Sequence, residues 1–332
     1  MVACFDKLLH NCACLISFHW PFMQESSTPP NSASGLTSTQ AGMLFAICAY
    51  TMWGIAPIYF KQLLHVDAVE ILMHRIIWSA LVLAGLILGL NHINKVTTAL
   101  ADKKVMGLLV CAGILLGGNW WLFIWSVNND HLLEASLGYY INPLFNVLFG
   151  FVFLGERFRR LQKVAVLLAF IGVAILIVSF GDVPYIALSL ALSFSLYGLV
   201  RKQINVDSIP GLFIETVLML PLALGYWLWT DSPTSNFANN STTINVLFIC
   251  AGLVTTAPLL CFTSAARRIM YSTLGFFQYI GPTLMFVIAI MVYNEPFNIE
   301  RVITFGFVWL ALAVFTYDGV RHYRKQKILL NT

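Results

Sequence analysis

Residues 105–127, VMGLLVCAGILLGGNWWLFIWSV, form a run that contains no Asp, Glu, Lys or Arg. An α-helix rises about 1.5 Å per residue, so roughly twenty apolar residues span the hydrocarbon of a bilayer. Similar runs recur between short charged clusters in a chain that is 59% hydrophobic and only 10% charged. The runs are continuous rather than alternating, which favours helices over a β-barrel. The sequence therefore predicts an all-α polytopic membrane protein.

Ten transmembrane helices are predicted, with nine as the alternative count because the connections between the fourth, fifth and sixth are short. They run from about 41 to 60, 71 to 90, 105 to 127, 133 to 154, 164 to 180, 184 to 200, 211 to 229, 244 to 265, 271 to 293 and 302 to 317. Of the 19 Lys and Arg residues, only Lys61 and Arg301 fall on the side opposite to the N-terminus, and Arg75 falls inside a crossing. Since short basic loops stay in the cytoplasm, both termini are predicted to be cytoplasmic.

The two halves of the chain repeat the same local signals. Asn142-Pro143 precedes Glu156-Arg157-Phe158 by the distance that separates Gly281-Pro282 from Glu295-Pro296-Phe297. The predicted units are residues 41–180 and 181–320, flanked by a tail at 1–40 and a basic tail at 321–332. Five crossings per unit is an odd number, so the second unit enters from the opposite face. Such inverted repeats are typical of transporters that work by alternating access.

Five stretches of the chain resemble a known family: residues 49–57 (AYTMWGIAP), 70–75 (EILMHR), 117–125 (GGNWWLFIW), 154–158 (LGERF) and 274–282 (LGFFQYIGP). They look like the RarD branch of the EamA-type permeases, in the drug/metabolite transporter superfamily. The resemblance extends from about Gln40 to Tyr317. It implies ten helices in two EamA repeats, a bacterial inner-membrane location and transport of a small molecule. The sequence departs from the pattern at Asn294-Glu295-Pro296, where the first repeat has Gly-Glu-Arg.

The first forty residues lie outside this resemblance. Residues 2–22 are too short and too polar to span a bilayer and lack a clear signal-peptide pattern. Residues 26–40 are rich in Ser, Thr and Pro, a composition typical of disordered segments. We therefore hypothesise that the native start is downstream, at Met23, and that the residues before it are dispensable.

The sequence as a whole predicts a permease, a secondary transporter that moves a drug or metabolite across the bacterial inner membrane. Uptake of amino acids or metabolites rather than export, and a non-transport role such as lipid scrambling, are the alternatives. An enzyme is not expected, since the chain has no phosphate-binding loop and no nucleophilic triad. The seven cysteines lack disulfide or zinc spacing, so no cofactor or metal is predicted. The expected partners are a small molecule and the bilayer but no nucleic acid, with a coupling proton and a homodimer left open.

Two ionisable residues lie inside predicted crossings, Arg75 in the second and Glu215 in the seventh. Because charge inside the membrane is costly, such residues indicate a partner or a function. Arg75 is predicted to be a counter-charge for an anionic or zwitterionic substrate, and Glu215 a cation or proton site. The alternative is a position near a helix end, where Arg75 snorkels or pairs with Glu70 or Asp67, and Glu215 pairs with Arg201 or Lys202.

Aromatic and amide side chains complete the predicted substrate cavity. They are Trp53, Asn119, Trp121, Tyr139, Asn142 and Asn146 in the first half, and Tyr197, Gln278 and Tyr279 in the second. The alternative roles are helix packing for the asparagines and an interfacial belt for the tryptophans. Prolines inside the crossings predict helix kinks that hinge or line a cavity, at Pro57, Pro143, Pro221, Pro258 and Pro282.

Overall fold

The computed structural model describes residues 37–230, 232, 234, 236–293 and 299–331, with the side chains of 323 and 325–331 excepted. The hypothesised start at Met23 and the Glu295-Pro296-Phe297 signal lie outside the described residues. The described part of the chain is helical and contains no strand. Its helices are α1 (Ser38–Phe60), α2 (Ala68–Gly89), α3 (Ile93–Ala101), α4 (Lys103–Asn128), α5 (Leu132–Phe153), α6 (Arg160–Phe180), α7 (Tyr185–Gln203), α8 (Ser208–Trp229), α9 (Thr242–Ala266), α10 (Tyr271–Gln278), α11 (Ile280–Met291) and α12 (Ile299–Asn331), with a 3₁₀ turn at Lys61–Leu63.

Within the described residues, 9 helical segments are long and apolar enough to cross a membrane. They match the first five and the last four predicted crossings, which confirms an all-α, multi-pass protein. The sixth predicted crossing is α7, and it is not among the 9. Three serines and the terminal Arg201-Lys202 pair make α7 less apolar than its neighbours. The count of ten crossings stays a prediction.

The ninth predicted crossing differs from a single continuous helix. It consists of α10 and α11, which are separated at Tyr279, three residues before Pro282. Proline lacks an amide hydrogen, so Pro282 cannot bond to the carbonyl of Gln278, and the helix is interrupted there. Pro57, Pro143, Pro221 and Pro258 lie instead inside helices that continue through them.

Helix α2 packs against both α8 and α9, and the contact with α9 depends on a glycine. A Cβ atom added at Gly252 would lie 2.5 Å from the Cβ of Trp78 and 2.7 Å from the Trp78 carbonyl oxygen. The Gly252 carbonyl also accepts a hydrogen bond from the Ser79 hydroxyl at 3.2 Å. The two backbones can therefore approach this closely only with glycine at position 252.

Replacing Gly252 by Ala is expected to lower stability by about 1 to 3 kcal/mol, because the added methyl group collides with the backbone of α2. The measurement is the unfolding temperature of the detergent-purified protein. Gly85→Ala is the matched control on α2, since nothing lies within 4 Å of a Cβ placed there. This control should be neutral or slightly stabilising, given the better helix propensity of Ala. Equal effects of the two variants would contradict the close approach.

Candidate functional site

Arg75 lies in the second turn of α2 and contacts three other elements. Its Nε donates a hydrogen bond of 2.8 Å to the Thr255 hydroxyl of α9. Its guanidinium carbon lies 5.0 Å from the ring centroid of Trp120 on α4 and 5.4 Å from that of Phe60, the last residue of α1. Both distances suit cation–π attraction. The hydroxyl and the two rings hold the guanidinium in a defined position.

The carboxylates that sequence reasoning offered as partners of Arg75 are engaged elsewhere. Asp67 caps α2 and accepts from the amide of Val69 at 2.8 Å. Glu70 accepts hydrogen bonds of 2.7 Å from the hydroxyls of Ser232 and Thr234. Within the described ranges, no carboxylate oxygen lies within 4.0 Å of Arg75. The role of Arg75 as a counter-charge for substrate stays a prediction, and this geometry is compatible with it.

Tyr139 lies close enough to Arg75 to interact with it electrostatically, although the two are on different helices. The side chain of Tyr139 is 40% exposed, whereas Ala135 and Pro143, one turn away on either side, are buried. The exposed surface faces a cavity of about 390 Å³ between α5, α6, α11 and α12. Tyr140, Phe286 and Arg301 are among its other lining residues. Tyr139 therefore both interacts with Arg75 and lines this cavity.

Glu215 lies inside the bundle with Arg201 and Tyr197. One carboxylate oxygen is 3.3 Å from Arg201 Nη1, and the other accepts from the Tyr197 hydroxyl at 3.2 Å. The exposed fractions of Glu215 and Arg201 are 0% and 1%. A Cβ at Gly211 would collide with the guanidinium, so a glycine makes room for Arg201. The structure thus brings together Glu215, Tyr197 and one of the partners that the alternative interpretation named.

The predicted amide residues connect neighbouring helices. Asn119 Nδ2 donates to the Leu190 carbonyl and to the Ser193 hydroxyl, both at 2.9 Å. Asn142 Nδ2 donates to the Ala191 carbonyl at 3.1 Å. Asn146 Nδ2 donates to Gln278 Oε1 at 2.8 Å. These bonds join α4 to α7, α5 to α7 and α5 to α10. Asn142, Asn146, Gln278 and Tyr279 are all buried. The bonds from Nδ2 are those of helix packing, as expected for polar groups inside a membrane protein. The Oδ1 atoms of Asn142 and Asn146 are buried without a hydrogen-bond partner among the described residues.

The tryptophans of the predicted cavity separate into two environments. Trp53 lies in an aromatic cluster with Tyr50, Phe194 and Phe262. Trp121 is 52% exposed and shares an exposed stripe of α4 with Ile114 and Trp125. An apolar stripe without protein cover suits contact with lipid.

The tryptophan beside Arg75 is Trp120, which sequence reasoning missed, together with Phe60 and Thr255. Adjacent helical residues point about 100° apart. The register of α4 against α2 therefore decides which of two consecutive tryptophans faces the arginine, and periodicity within one helix does not contain that register. Thr255 and Phe60 had no signal beyond their positions inside or at the end of crossings.

Charged side chains cap helix ends at one end of the bundle, the end at which α1 begins. Glu156 accepts from the amides of Tyr271 and Ser272, at 2.5 and 2.9 Å, at the start of α10. Lys202 donates to the carbonyls of Ala266 and Ile269, at 2.8 and 2.5 Å, at the end of α9. Carboxylates suit helix starts and cations suit helix ends, so both contacts stabilise the packing of the helix ends here.

Two ion pairs at the same end involve Asp207, which lies outside the membrane-spanning helices. Asp207, which precedes α8, contacts Lys95 Nζ at 2.8 Å and Arg267 Nη1 at 3.0 Å. Hydrogen bonds from Lys95 and Arg267 lower the pKa of Asp207 from 3.8 to about 2. The carboxylate is therefore ionised at physiological pH.

Comparison with known proteins gives the family. Residues 40–178 match the model of the EamA-like transporter family. An uncharacterized transporter of Vibrio cholerae is 57% identical over 282 residues, which cover 84% of this chain and 93% of the relative. Protein RarD of Escherichia coli K12 is 50% identical over 288 residues, which cover 86% and 97%. A solved crystal structure with 16% identity has a TM-score of 0.65 and is matched over 83% of this chain and 97% of its own, a likeness of fold alone. The chain belongs to the EamA-like transporter family, in its RarD-type branch of permeases.

Proposed function

We propose that this protein is a secondary transporter that moves a small organic molecule by alternating access between two inverted five-helix units, residues 41–180 and 181–320. The observation that carries the proposal is the pattern of helix neighbours. Helix α1 packs against α9, α10 and α11. Its predicted counterpart α7 packs against α4 and α5, which are the counterparts of α9 and of the α10–α11 pair. The first helix of each unit therefore packs against the third and fourth helices of the other unit.

Three further contacts join a helix to its own counterpart: α2 with α8, α5 with α10, and α6 with α12. Such contacts lie on the axis that relates two repeats. Rocking of one unit against the other about this axis alternately opens the two ends of the central site. In this structure one end is closed by the contacts of Glu156, Lys202 and Asp207. The cavity beside Tyr139 lies toward the opposite end, where α5 begins.

The proposed location is the bacterial inner membrane, with both termini in the cytoplasm. The relatives at high identity are bacterial proteins. Lys95, Arg159, Lys202 and Arg267 lie at the end of the bundle where α1 begins, and this bias supports a cytoplasmic position for that end. Solute flux in proteoliposomes also tests the direction of transport and the use of a proton.

The test is solute flux in proteoliposomes, measured in both directions, with and without a proton gradient. The panel contains radiolabelled anionic, zwitterionic, neutral and cationic solutes, and protein-free vesicles give the baseline. We expect flux of at least one class above the baseline. A parallel dithionite assay on fluorescent lipid reports scrambling. Baseline flux for every class, or lipid movement alone, would contradict the proposal.

A further inference from the structure

We propose that Arg75 is the anion-binding residue of the substrate site and that it takes the carboxylate of an organic acid with a flat, apolar body. The proposal rests on the transport function proposed above and names the class of its substrate. Three observations support it: the hydrogen bond that Arg75 makes through Nε, the accessibility of its two Nη atoms, and the aromatic rings around it.

The guanidinium uses only one of its nitrogens, Nε, in hydrogen bonds with the described residues. Its Nε donates a hydrogen bond to the Thr255 hydroxyl, and neither Nη atom has a hydrogen-bond partner among the described residues. The buried nitrogen atoms that make no hydrogen bond include two of Arg201 but none of Arg75. The Nη atoms of Arg75 are therefore accessible. Two adjacent N–H groups in a plane match the two oxygens of a carboxylate, the geometry in which arginine binds most strongly.

The charge balance of the two interior arginines differs. Arg201 is neutralised by Glu215, a carboxylate of the same chain. For Arg75, the described residues supply a hydroxyl and two π faces, which hold a cation without neutralising it. A positive charge inside the membrane favours an opposite charge in its surroundings. A carboxylate that arrives with the substrate supplies one, whereas a cationic substrate is repelled.

The neighbouring rings indicate the shape of the rest of the molecule. Trp120 and Phe60 lie beside the guanidinium, and Tyr139, which interacts electrostatically with Arg75, lines the cavity of about 390 Å³. Aromatic side chains favour flat apolar groups through offset or edge contacts. An aryl carboxylate fits this environment with its charge on Arg75 and its ring against Trp120 or Tyr139.

The test is direct binding to the purified full-length protein in detergent, so it does not depend on transport. The probes are phenylacetate and its uncharged analogue phenylacetamide, with hexanoate as a carboxylate without a ring. The readouts are intrinsic tryptophan fluorescence, for which Trp120 is a local reporter, and the unfolding temperature. We expect phenylacetate to bind at least about tenfold more tightly than phenylacetamide, and more tightly than hexanoate.

Variants test whether the preference for the acid over the amide depends on Arg75. Arg75→Gln should abolish the preference for the acid over the amide, and Arg75→Lys should retain only part of it, because an ammonium cannot form the paired hydrogen bonds. Thr255→Val, which removes the Nε contact at nearly constant volume, should weaken acid binding and serves if Arg75→Gln does not fold. The matched control is Arg157→Gln, since Arg157 also lies over a phenylalanine ring, at 5.5 Å, but is exposed.

The outcomes separate this proposal from the transport function. Acid and amide binding equally well, no binding of any probe, or an unchanged preference in Arg75→Gln would overturn the assignment of Arg75. Flux of neutral or cationic solutes in that case would leave the transporter intact and the substrate class wrong. Acid binding that depends on Arg75, without flux of any solute, would instead support the site and contradict transport.

Discussion

Glu215→Leu is expected to destabilise the protein by about 3 to 5 kcal/mol, because it leaves the guanidinium of Arg201 buried without a counter-charge. Arg201→Met should have a similar effect, since it leaves an unpaired carboxylate. Both side chains are fully buried and their charged groups lie 3.3 Å apart, so neither group is accessible to bulk solvent that could compensate for a lost partner. The measurement is unfolding of the purified protein in mixed micelles, followed by tryptophan fluorescence.

The double variant Arg201→Met/Glu215→Leu should recover most of this loss, because apolar side chains of similar volume often replace a buried ion pair at little cost. Lys95→Ala is the control for loss of an ion pair as such, since the Lys95–Asp207 pair is about half exposed. Its expected effect is below about 1 kcal/mol. Single variants at Glu215 and Arg201 that are as mild as Lys95→Ala would show that the pair is hydrated.

The pair also shows how far sequence reasoning reaches. Apolar runs of bilayer length predict the helices because the requirement for internal hydrogen bonding in lipid is independent of tertiary contacts. Arg201 and Glu215 were offered as one possible pair because both lie at the same end of consecutive crossings. The choice between Arg201 and Lys202 depends on which side of α7 faces α8. Lys202 instead caps α9, a contact between segments more than sixty positions apart.

The substrate site was predicted less completely, for the same reason. Depth in a crossing identifies Arg75 as costly, but its surroundings come from α4, α9 and the end of α1. Asn142 and Asn146 have the polarity expected of cavity residues, yet their Nδ2 groups donate to α7 and α10. Composition cannot distinguish an amide that binds a neighbouring helix from one that faces water. Only the packing of helices decides between those two roles.

Glu156→Gln is expected to open the end of the bundle at which α1 begins. The carboxylate of Glu156 accepts from two amides at the start of α10, where the helix dipole adds to the attraction. The amide side chain of Gln has one acceptor oxygen, and its NH₂ group is repelled by a helix N-terminus. Loss of a charge-assisted bond of about 1.5 to 3 kcal/mol is enough to shift a two-state equilibrium roughly tenfold or more.

The measurement is the rate of maleimide labelling of Ser195→Cys in a variant without the native cysteines. Ser195 is fully buried, and its carbonyl accepts from the Tyr271 hydroxyl at 2.6 Å, so separation of α10 from α7 exposes it. We expect Glu156→Gln to raise the rate on the order of tenfold. Glu134→Gln is the matched control, because Glu134 accepts from the Ile186 amide at 2.7 Å at the opposite end of α5. Labelling that rises equally in both variants would indicate general loosening, and a rate unchanged by Glu156→Gln would remove Glu156 from the closure of this end.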